Sequence, residues 1–307
     1  PDSKSHLLER LGACHLPATF LSFFPMKSPW YGRLFKHAAE KDFKLLLARA
    51  GQDDAEAQYQ LALRLGTGHG TPPNHAQAVE WYRRAAEQGH ADAQNALGLC
   101  YDEGTGVERD AAMAATWYRK AAEQGHAGAQ NNLGICCQRG EGLPQDFAEA
   151  VRWFRLAAEQ GYPDAEFSLG LAYYRGEGVP QDNGRAIKWL HKAADQGDPN
   201  AMHRLARALH KAAARKSEFR EMAKWYRAAA EQELADAQCN LGLCYQTGRG
   251  VSQDPSEAVK WFIKAARQGN KMAQHNLGLH YAAQEASEMA ASEAAQAALE
   301  AEKNTPR

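Results

Sequence analysis

The sequence of 307 residues lacks an excess of charge of either sign, because 36 basic and 37 acidic residues leave a net charge of −1. Domains that bind nucleic acid usually carry a basic patch or stripe, so this balance argues against nucleic acid as a partner. The sequence also lacks any stretch of about 18 apolar residues, the minimum for a helix that crosses a bilayer. We therefore predict neither nucleic-acid binding nor a membrane span.

Cysteine spacing typical of a disulfide scaffold is lacking too, although the chain has six cysteines. Cys100, Cys136 and Cys244 are separated by multiples of 36 residues, so they occupy equivalent positions of a repeat. Equivalent helices of adjacent units stand about 8–10 Å apart or more, beyond the roughly 7 Å that a disulfide tolerates. We expect free, buried thiols in a reducing compartment.

What the chain does have is a repeat marked by six tryptophans, each 36 residues after the last: Trp81, Trp117, Trp153, Trp189, Trp225 and Trp261. A fixed period of about 20–50 residues is the signature of an array whose units pack on their neighbours. We expect each tryptophan to fill the gap between adjacent helix pairs.

One unit, residues 91–126, predicts two helices. Apolar residues at i, i+4 and i+8 share one face of the first helix, namely Ala93, Leu97 and Tyr101. Gly104 suits the left-handed residue that ends it. Asp110 is placed to cap the second helix, as are Asn74, Asp146, Asp182 and Asp254 in other units. The second helix buries Ala114, Trp117 and Ala121.

The full pattern, A-x-A-Q-x-x-L-G-x-x-Y-x-x-G-x-G-V-x-x-D-x-x-x-A-x-x-W-x-x-x-A-A-x-Q-G, resembles the Sel-one-like repeat (SLR) family, relatives of the tetratricopeptide repeat, over about residues 54–281. The resemblance implies an all-α, right-handed α-solenoid of 36-residue helix-turn-helix repeats. It also implies a bacterial, non-catalytic scaffold or adaptor for protein complexes. Alternatives are a hydrolytic or regulatory enzyme of the family's cysteine-rich branch, whose paired cysteines this chain lacks, and an envelope or host-interaction factor.

The predicted organisation has four parts. Residues 1–32 form an N-terminal extension, of which the first 25 precede Met26 and fit a leader or a non-native segment. Residues 33–54 form a capping helix, with Phe43 in the tryptophan position. Residues 55–270 hold six repeats. Residues 271–307 hold a partial seventh repeat and a capping helix or solvated tail. The fifth repeat lacks the loop glycines, so we expect its loop to be more helical.

The side of each first helix that faces away from the core is the predicted binding surface, because the resemblance places a concave groove there. In the middle repeats it carries nine residues that we call the groove set: Asn131, Arg139, Phe167, Tyr174, Arg175, His203, Arg207, His210 and Lys211. Arginine and aromatic side chains dominate binding energy at protein interfaces. We expect an acidic or carboxylate-terminated peptide or protein as partner; the alternative is a solvated face of ordinary charge.

The sequence supports metal binding and catalysis less well than it supports partner binding. His203 and His210 share a helical face, but no third ligand stands at ligand spacing. Cys239 and His275 hold the same position of adjacent repeats, without an orienting group or an oxyanion element. The Gly-x-Gly segments do not follow strands, so they are turns between helices. We predict no metal, no cofactor and no enzymatic activity.

Free thiols favour the cytoplasm. A periplasmic or secreted location would require a signal removed before Pro1, because the apolar stretch near the N-terminus is short and lacks a basic flank.

Overall fold

The computed structural model describes residues 43–68, 72–213 and 215–303, with all side chains of these ranges except those of residues 216 and 293–303. Every regular element in these ranges is an α-helix. Residues 43–50 are helical, and the helices that follow are numbered α1 to α13. Their bounds are α1 Ala55–Thr67, α2 His75–Glu87, α3 Ala91–Glu103, α4 Ala111–Glu123, α5 Ala127–Arg139, α6 Phe147–Glu159, α7 Pro163–Arg175, α8 Asn183–Asp195, α9 Pro199–Ala212, α10 Lys216–Glu231, α11 Ala235–Thr247, α12 Pro255–Arg267 and α13 Lys271–Lys303.

The helices belong to two compact units, Pro1–Arg109 and Asp110–Arg307. In the described part of the first unit, α1 packs on α2 and α2 packs on α3. In the second unit, each helix from α4 to α13 packs on the next one in the chain. Packing of each element on its sequence neighbours is the organisation of a solenoid, so the predicted all-α solenoid class is confirmed.

Helix boundaries follow the capping residues. The first helix of a repeat ends at a glycine in the left-handed region, such as Gly104 with φ 75° and Gly176 with φ 76°. Each predicted cap of a second helix accepts a hydrogen bond from a backbone N–H of the first turn: Asn74, Asp110, Asp146, Asp182 and Asp254. Histidine caps were not predicted. His90 and His126 accept from the N–H groups of Ala93 and Ala129 through Nδ1.

The core of each repeat combines small and large apolar side chains from its two helices. Ala129 and Leu133 on α5 are fully buried, and Ala157 and Ala158 on α6 are almost fully buried. Because protein interiors are packed nearly as densely as organic crystals, larger residues at the alanine positions would push the helices apart.

The glycine that follows the core leucine allows the two helices of a repeat to touch. A Cβ placed on Gly242 would lie 2.6 Å from Cε1 of Phe262, and one on Gly134 would lie 2.6 Å from the same atom of Phe154. Distances under 3.0 Å are not tolerated without a shift of the neighbour. The Leu-Gly pair is therefore a packing requirement at these positions.

The periodic tryptophans lie beside the centre of the core. The residue after each tryptophan has the smaller exposed fraction: Tyr82, Tyr118, Phe154, Leu190, Tyr226 and Phe262. Trp81, Trp153 and Trp189 are only half-buried. Cations lie over both half-buried and buried tryptophans: Nζ of Lys192 is 4.4 Å from the ring centroid of Trp189, and Nζ of Lys120 is 3.9 Å from that of Trp117. The side chain after each tryptophan therefore takes the most buried place, which the sequence analysis did not predict.

The second glycine of each Gly-x-Gly loop packs against the preceding repeat. A Cβ on Gly142 would collide with the carbonyl group of Ala111, and one on Gly250 would collide with that of Phe219. Both glycines have positive φ, 74° and 77°. The loop of one repeat therefore lies directly against the start of the second helix of the preceding repeat.

The fifth repeat replaces this loop with additional helix, as predicted. Helix α9 continues to Ala212, and α10 begins at Lys216 and runs for 16 residues, against 13 in the other second helices. Glu233 stands where the other repeats end in glycine and keeps the left-handed conformation with φ 65°. A residue with a Cβ is disfavoured in this conformation.

A chain of amide hydrogen bonds connects neighbouring helices inside each unit. Gln130 is buried, and its Nε2 donates to the carbonyl of Ala122, 3.1 Å away in the preceding repeat. Its Oε1 accepts from Nε2 of Gln160 at 2.8 Å. Gln238 makes the same pair of bonds with Ala230 and Gln268. We call this arrangement the amide clamp; it satisfies polar atoms that would be costly to bury without partners.

Two repeats depart from the amide clamp. Glu166 occupies the glutamine position of the fourth repeat, is buried, and accepts from Gln196 at 2.8 Å. Burial raises the pKa of Glu166 above its usual value. Met202 occupies the position in the fifth repeat, and its sulfur lies 3.5 Å from Nε2 of Gln232.

The two ends of the array differ. Ala50 is buried and its carbonyl accepts from Nε2 of Gln58, so residues 43–50 stand where the second helix of a preceding repeat would be. Residues 51–54 of the predicted capping helix are not helical. Its residues 33–42 and the extension 1–32 lie outside the described residues. At the other end α13 is one continuous helix of 33 residues, exposed from residue 282 to 292. No helix in the described ranges is long and apolar enough to cross a membrane.

The Leu-Gly glycines provide a matched test of the close helix contact. Gly242→Ala forces a Cβ onto the ring of Phe262, and we expect the free energy of unfolding to fall by about 1–3 kcal/mol. Gly278 holds the same position in α13 with open space around it, so Gly278→Ala should leave stability unchanged or raise it by up to about 1 kcal/mol. Urea unfolding followed by circular dichroism measures both, and equal losses would contradict the packing argument.

Glu166 provides a pH-dependent test of the amide clamp. Glu166→Gln restores a donor, and we expect it to raise the free energy of unfolding by about 1 kcal/mol at pH 7. Because the pKa of Glu166 is raised in the folded state, its stabilising contribution is complete below its unfolded pKa and is lost as pH rises through the folded value. The gain from Glu166→Gln should therefore shrink as pH falls toward 4.5. Gln130→Glu in the third repeat should instead lower the free energy of unfolding at pH 7. Two variants that change this free energy equally would refute the prediction.

Candidate functional site

The groove set lies on three first helices of the second unit, α5, α7 and α9. Five of its members are exposed: Arg139, Arg175, Arg207, His210 and Lys211. Phe167 and Tyr174 are half-buried, whereas Asn131 and His203 are buried. Five members of the groove set are therefore accessible to a partner, and the other four are partly or fully covered by neighbouring side chains.

The structure brings the cationic members of α7 and α9 together. Phe167 and Tyr174 pack on the core beneath them, and Nζ of Lys211 is 5.5 Å from the ring centroid of Tyr174. The guanidinium of Arg175 lies near those of α9, although it also has Glu177 at 3.6 Å.

Arg204 belongs to the same cluster and was missed by the sequence analysis. Burial lowers its pKa, and the neighbouring cations Arg207 and Arg175 lower it further. Among the described residues no carboxylate forms an ion pair with Arg204 or Arg207. We call Arg175, Arg204, Arg207, Lys211 and Tyr174 the basic cluster. Its positive charge is only partly neutralised by the part of the chain that the structure describes.

The third repeat contributes less than predicted. Asn131 is buried, and its Oδ1 has no hydrogen-bond partner among the described residues. Arg139 is exposed with Glu141 at 3.9 Å. Gln138, one residue earlier, donates to Glu177 on the loop after α7 at 3.3 Å. One carboxylate, that of Glu141, therefore stands close to Arg139, which the structure does not place in the basic cluster.

A small polar cavity adjoins the basic cluster. Its volume is about 290 Å³, and its walls include His203 and Arg207 from α9, Asp236 and Asn240 from α11, and Asn270. Nδ2 of Asn270 donates to Asp236 at 2.8 Å. The cavity thus places one guanidinium and one carboxylate beside neutral hydrogen-bonding groups.

His203 is a neutral side chain in this cavity. Burial lowers its pKa to about 4. Nδ2 of Asn240 is a donor and lies 2.9 Å from Nε2 of His203, so Nε2 is the acceptor and the ring proton is on Nδ1. His210 instead lies exposed, edge-on to Phe219. The two histidines have different surroundings, and the described residues contain no group of three metal-ligating side chains.

The five described cysteines are free, as predicted: Cys100, Cys136, Cys137, Cys239 and Cys244. Burial raises the pKa of the Cys100, Cys137, Cys239 and Cys244 thiols to about 11. The thiolate is the nucleophilic form, so burial makes Cys239 a poor nucleophile. His275, its proposed catalytic partner, is exposed on α13.

Comparison with known proteins agrees with the repeat pattern. The family model described as the Sel1 repeat matches residues 55–90, 91–126, 127–162, 163–198 and 235–270, more than half of the chain. The divergent fifth repeat is not among the matched segments. No curated protein matches the chain.

Two solved structures are similar over most of the chain. A protective antigen present in uropathogenic Escherichia coli strains, which displays an SLR fold, is 40% identical with a TM-score of 0.73; the match covers 77% of this chain and 51% of that one. A Sel1 repeat protein from Oxalobacter formigenes is 35% identical with a TM-score of 0.68, covering 81% and 74%. The chain spans about half the length of the E. coli protein.

Thiol chemistry tests the alternative of a cysteine-dependent enzyme. A pKa raised from about 9 to about 11 lowers the thiolate fraction roughly 100-fold. In a Cys14→Ser background, we expect Ellman's reagent at pH 7.5 to modify the folded protein slowly and to count all five described thiols in urea. One fast-reacting thiol in the folded protein would contradict the prediction, and fewer than five in urea would reveal a disulfide.

Proposed function

Because the chain belongs to the Sel1 repeat family, whose members are typically protein-interaction scaffolds, we propose that it is a non-catalytic scaffold that binds an acidic or carboxylate-terminated peptide or protein on α7 and α9. The observation that carries this proposal is the basic cluster. The fold supports it only in general terms, since one repeat architecture serves many partners.

Charge gives the first argument for an acidic partner. Burial lowers the pKa of Arg204 most, and the nearby guanidinium groups of Arg207 and Arg175 lower it further, which shows that bringing these cations together is unfavourable. A carboxylate that binds Arg204 or Arg207 relieves this repulsion and forms charge-assisted hydrogen bonds with the planar guanidinium fork. Complementary charge also raises the rate of association.

Shape and side-chain type give the second argument. Tyr174 is held by the core on one side and by Lys211 on the other, so little conformational entropy is lost when a partner contacts it. Rigid aromatic side chains and arginines are the residues that contribute most to protein binding. The basic cluster combines the two.

The polar cavity supplies the third argument, because it adds selectivity beside the basic cluster. Neutral His203, Asn240 and Asp236 offer both donors and acceptors, as a backbone amide of an extended peptide requires. Arg207 borders both the basic cluster and the cavity. We infer that a carboxylate of the partner binds the arginines while an adjacent polar group of the partner enters the cavity.

The cytoplasm remains the expected location, and free thiols at the five described cysteines support it. The similarity to a protective antigen of E. coli keeps an envelope or host-interaction role as the second candidate. Fractionation of cells that produce the native protein separates the two.

The basic cluster is tested by charge reversal. We expect Arg175→Glu/Arg207→Glu to abolish capture of the acidic partner from native lysate, because both guanidinium groups are replaced by carboxylates. The matched control is Arg152→Glu/Lys188→Glu, which changes net charge equally at exposed positions of second helices. Quantitative mass spectrometry of the captured proteins compares the three forms.

The outcome is read from the difference between the two double variants. A partner lost only with Arg175→Glu/Arg207→Glu supports the proposed surface, and binding of its purified form then gives the affinity. Equal capture by all forms contradicts the proposal. Loss with both double variants attributes binding to net charge and also contradicts it.

A further inference from the structure

One cavity among the described residues is lined by no member of the groove set. It has a volume of about 750 Å³ and is bounded by α10, α11 and the loop before α12. Its lining residues are Arg220, Arg227, Tyr245, Gly248, Gly250, Val251, Ser252 and Gln253. The lining has two guanidinium groups and no carboxylate, and it shares no residue with the polar cavity of His203.

Arg220 is exceptional at its position in the repeat. Five residues before the periodic tryptophan, the other repeats carry only small side chains: Ala76, Ala112, Ala148, Gly184 and Ser256. In the fifth repeat a long cation projects from this position into the cavity wall. Within the described chain no carboxylate forms an ion pair with it. The usual capping acid two residues earlier is Glu218, which is bound to Arg215 at 2.9 Å.

Arg227 is held in place by a neighbour. It donates to the hydroxyl of Tyr245 at 2.6 Å, and its guanidinium lies 5.8 Å from the centroid of the same ring. The equivalent bond joins Arg155 to Tyr173 at 3.2 Å. The pair belongs to the repeat architecture, so its guanidinium is positioned before any ligand arrives.

The loop adds further donors. The backbone N–H groups from Gly250 to Gln253 donate to no acceptor in the described part of the chain. Ser252 brings a hydroxyl to the same wall. Because Gly250 abuts the carbonyl of Phe219, the loop is fixed next to the turn of α10 that carries Arg220. Guanidinium groups, a hydroxyl and unpaired backbone amides together form the donor set that oxyanions bind.

We propose that this cavity binds a phosphomonoester group of a small molecule, with Arg220 and Arg227 as its charge partners. A phosphomonoester has three terminal oxygens and a charge near −2 at neutral pH, which suits two guanidinium groups and additional neutral donors better than a carboxylate does. The cavity volume lies in the range that small-molecule ligands occupy. This site is independent of the proposed partner surface on α7 and α9.

Calorimetric titration of the full chain with phenyl phosphate at low ionic strength tests the proposal. We expect one site in the wild type and an affinity about tenfold or more lower in Arg220→Ala, because one charged hydrogen-bond partner is lost. Arg152→Ala removes an exposed cation elsewhere and should leave the affinity for phenyl phosphate unchanged. Arg220→Ala restores the residue that three other repeats contain, and circular dichroism verifies its fold.

A gain-of-function variant makes the test stricter. Ala148→Arg places an arginine at the equivalent position beside Arg155 and Tyr173. Because Pro180 stands where Ser252 contributes a hydroxyl and a backbone N–H, we expect a second phenyl phosphate site that is weaker than the first. Benzoate is the carboxylate probe, and binding as tight as that of phenyl phosphate would overturn the assignment to phosphomonoesters. Absence of binding to the wild type, or equal affinity in Arg220→Ala, would overturn the site itself.

Discussion

The contact between the glycine of a first helix and the ring on the second helix of the same repeat sets the dimensions of this protein. Where Gly242 meets Phe262 there is no space for one additional methyl group. At this separation only alanine fits at neighbouring positions such as Ala237 and Ala265, both fully buried. With the helix pair so close, the short loop brings Gly250 onto the backbone of the preceding repeat. The repeat length follows from these contacts, because a longer loop or a larger residue would separate them.

The amide clamp supplies the polar counterpart of this packing. Gln130 and Gln238 each link one repeat to the next through buried hydrogen bonds, which are geometrically demanding and therefore favour a single register. The clamp changes at Glu166 and Met202, in the fourth and fifth repeats. These are the repeats that carry the basic cluster, and the fifth also forms one wall of the large cavity. Departures from local consistency are expected where a protein has acquired a function.

The two proposed sites use different parts of the same repeats. The basic cluster lies on the first helices α7 and α9. The cavity of Arg220 and Arg227 lies at a second helix and the loop before α12, where an arginine replaces the small residue of the other repeats. A solenoid permits such changes because each repeat depends only on its neighbours, so partner recognition and small-molecule binding can vary separately.

The sequence by itself determined the period, the helix boundaries, the capping residues and the buried alanine and leucine positions, because these depend on local geometry: 3.6 residues per turn, unpaired N–H groups at helix starts and left-handed glycines at helix ends. It also named four of the five members of the basic cluster, all except Arg204. Only the tertiary structure decided that His203 is buried against Asn240, 37 residues away, that Arg204 joins Arg207, that Phe262 rather than the preceding tryptophan contacts Gly242, and that the glutamines form a clamp. Spacing along a helix shows which residues share a face, but burial and pairing depend on which side chains of the next helices cover that face.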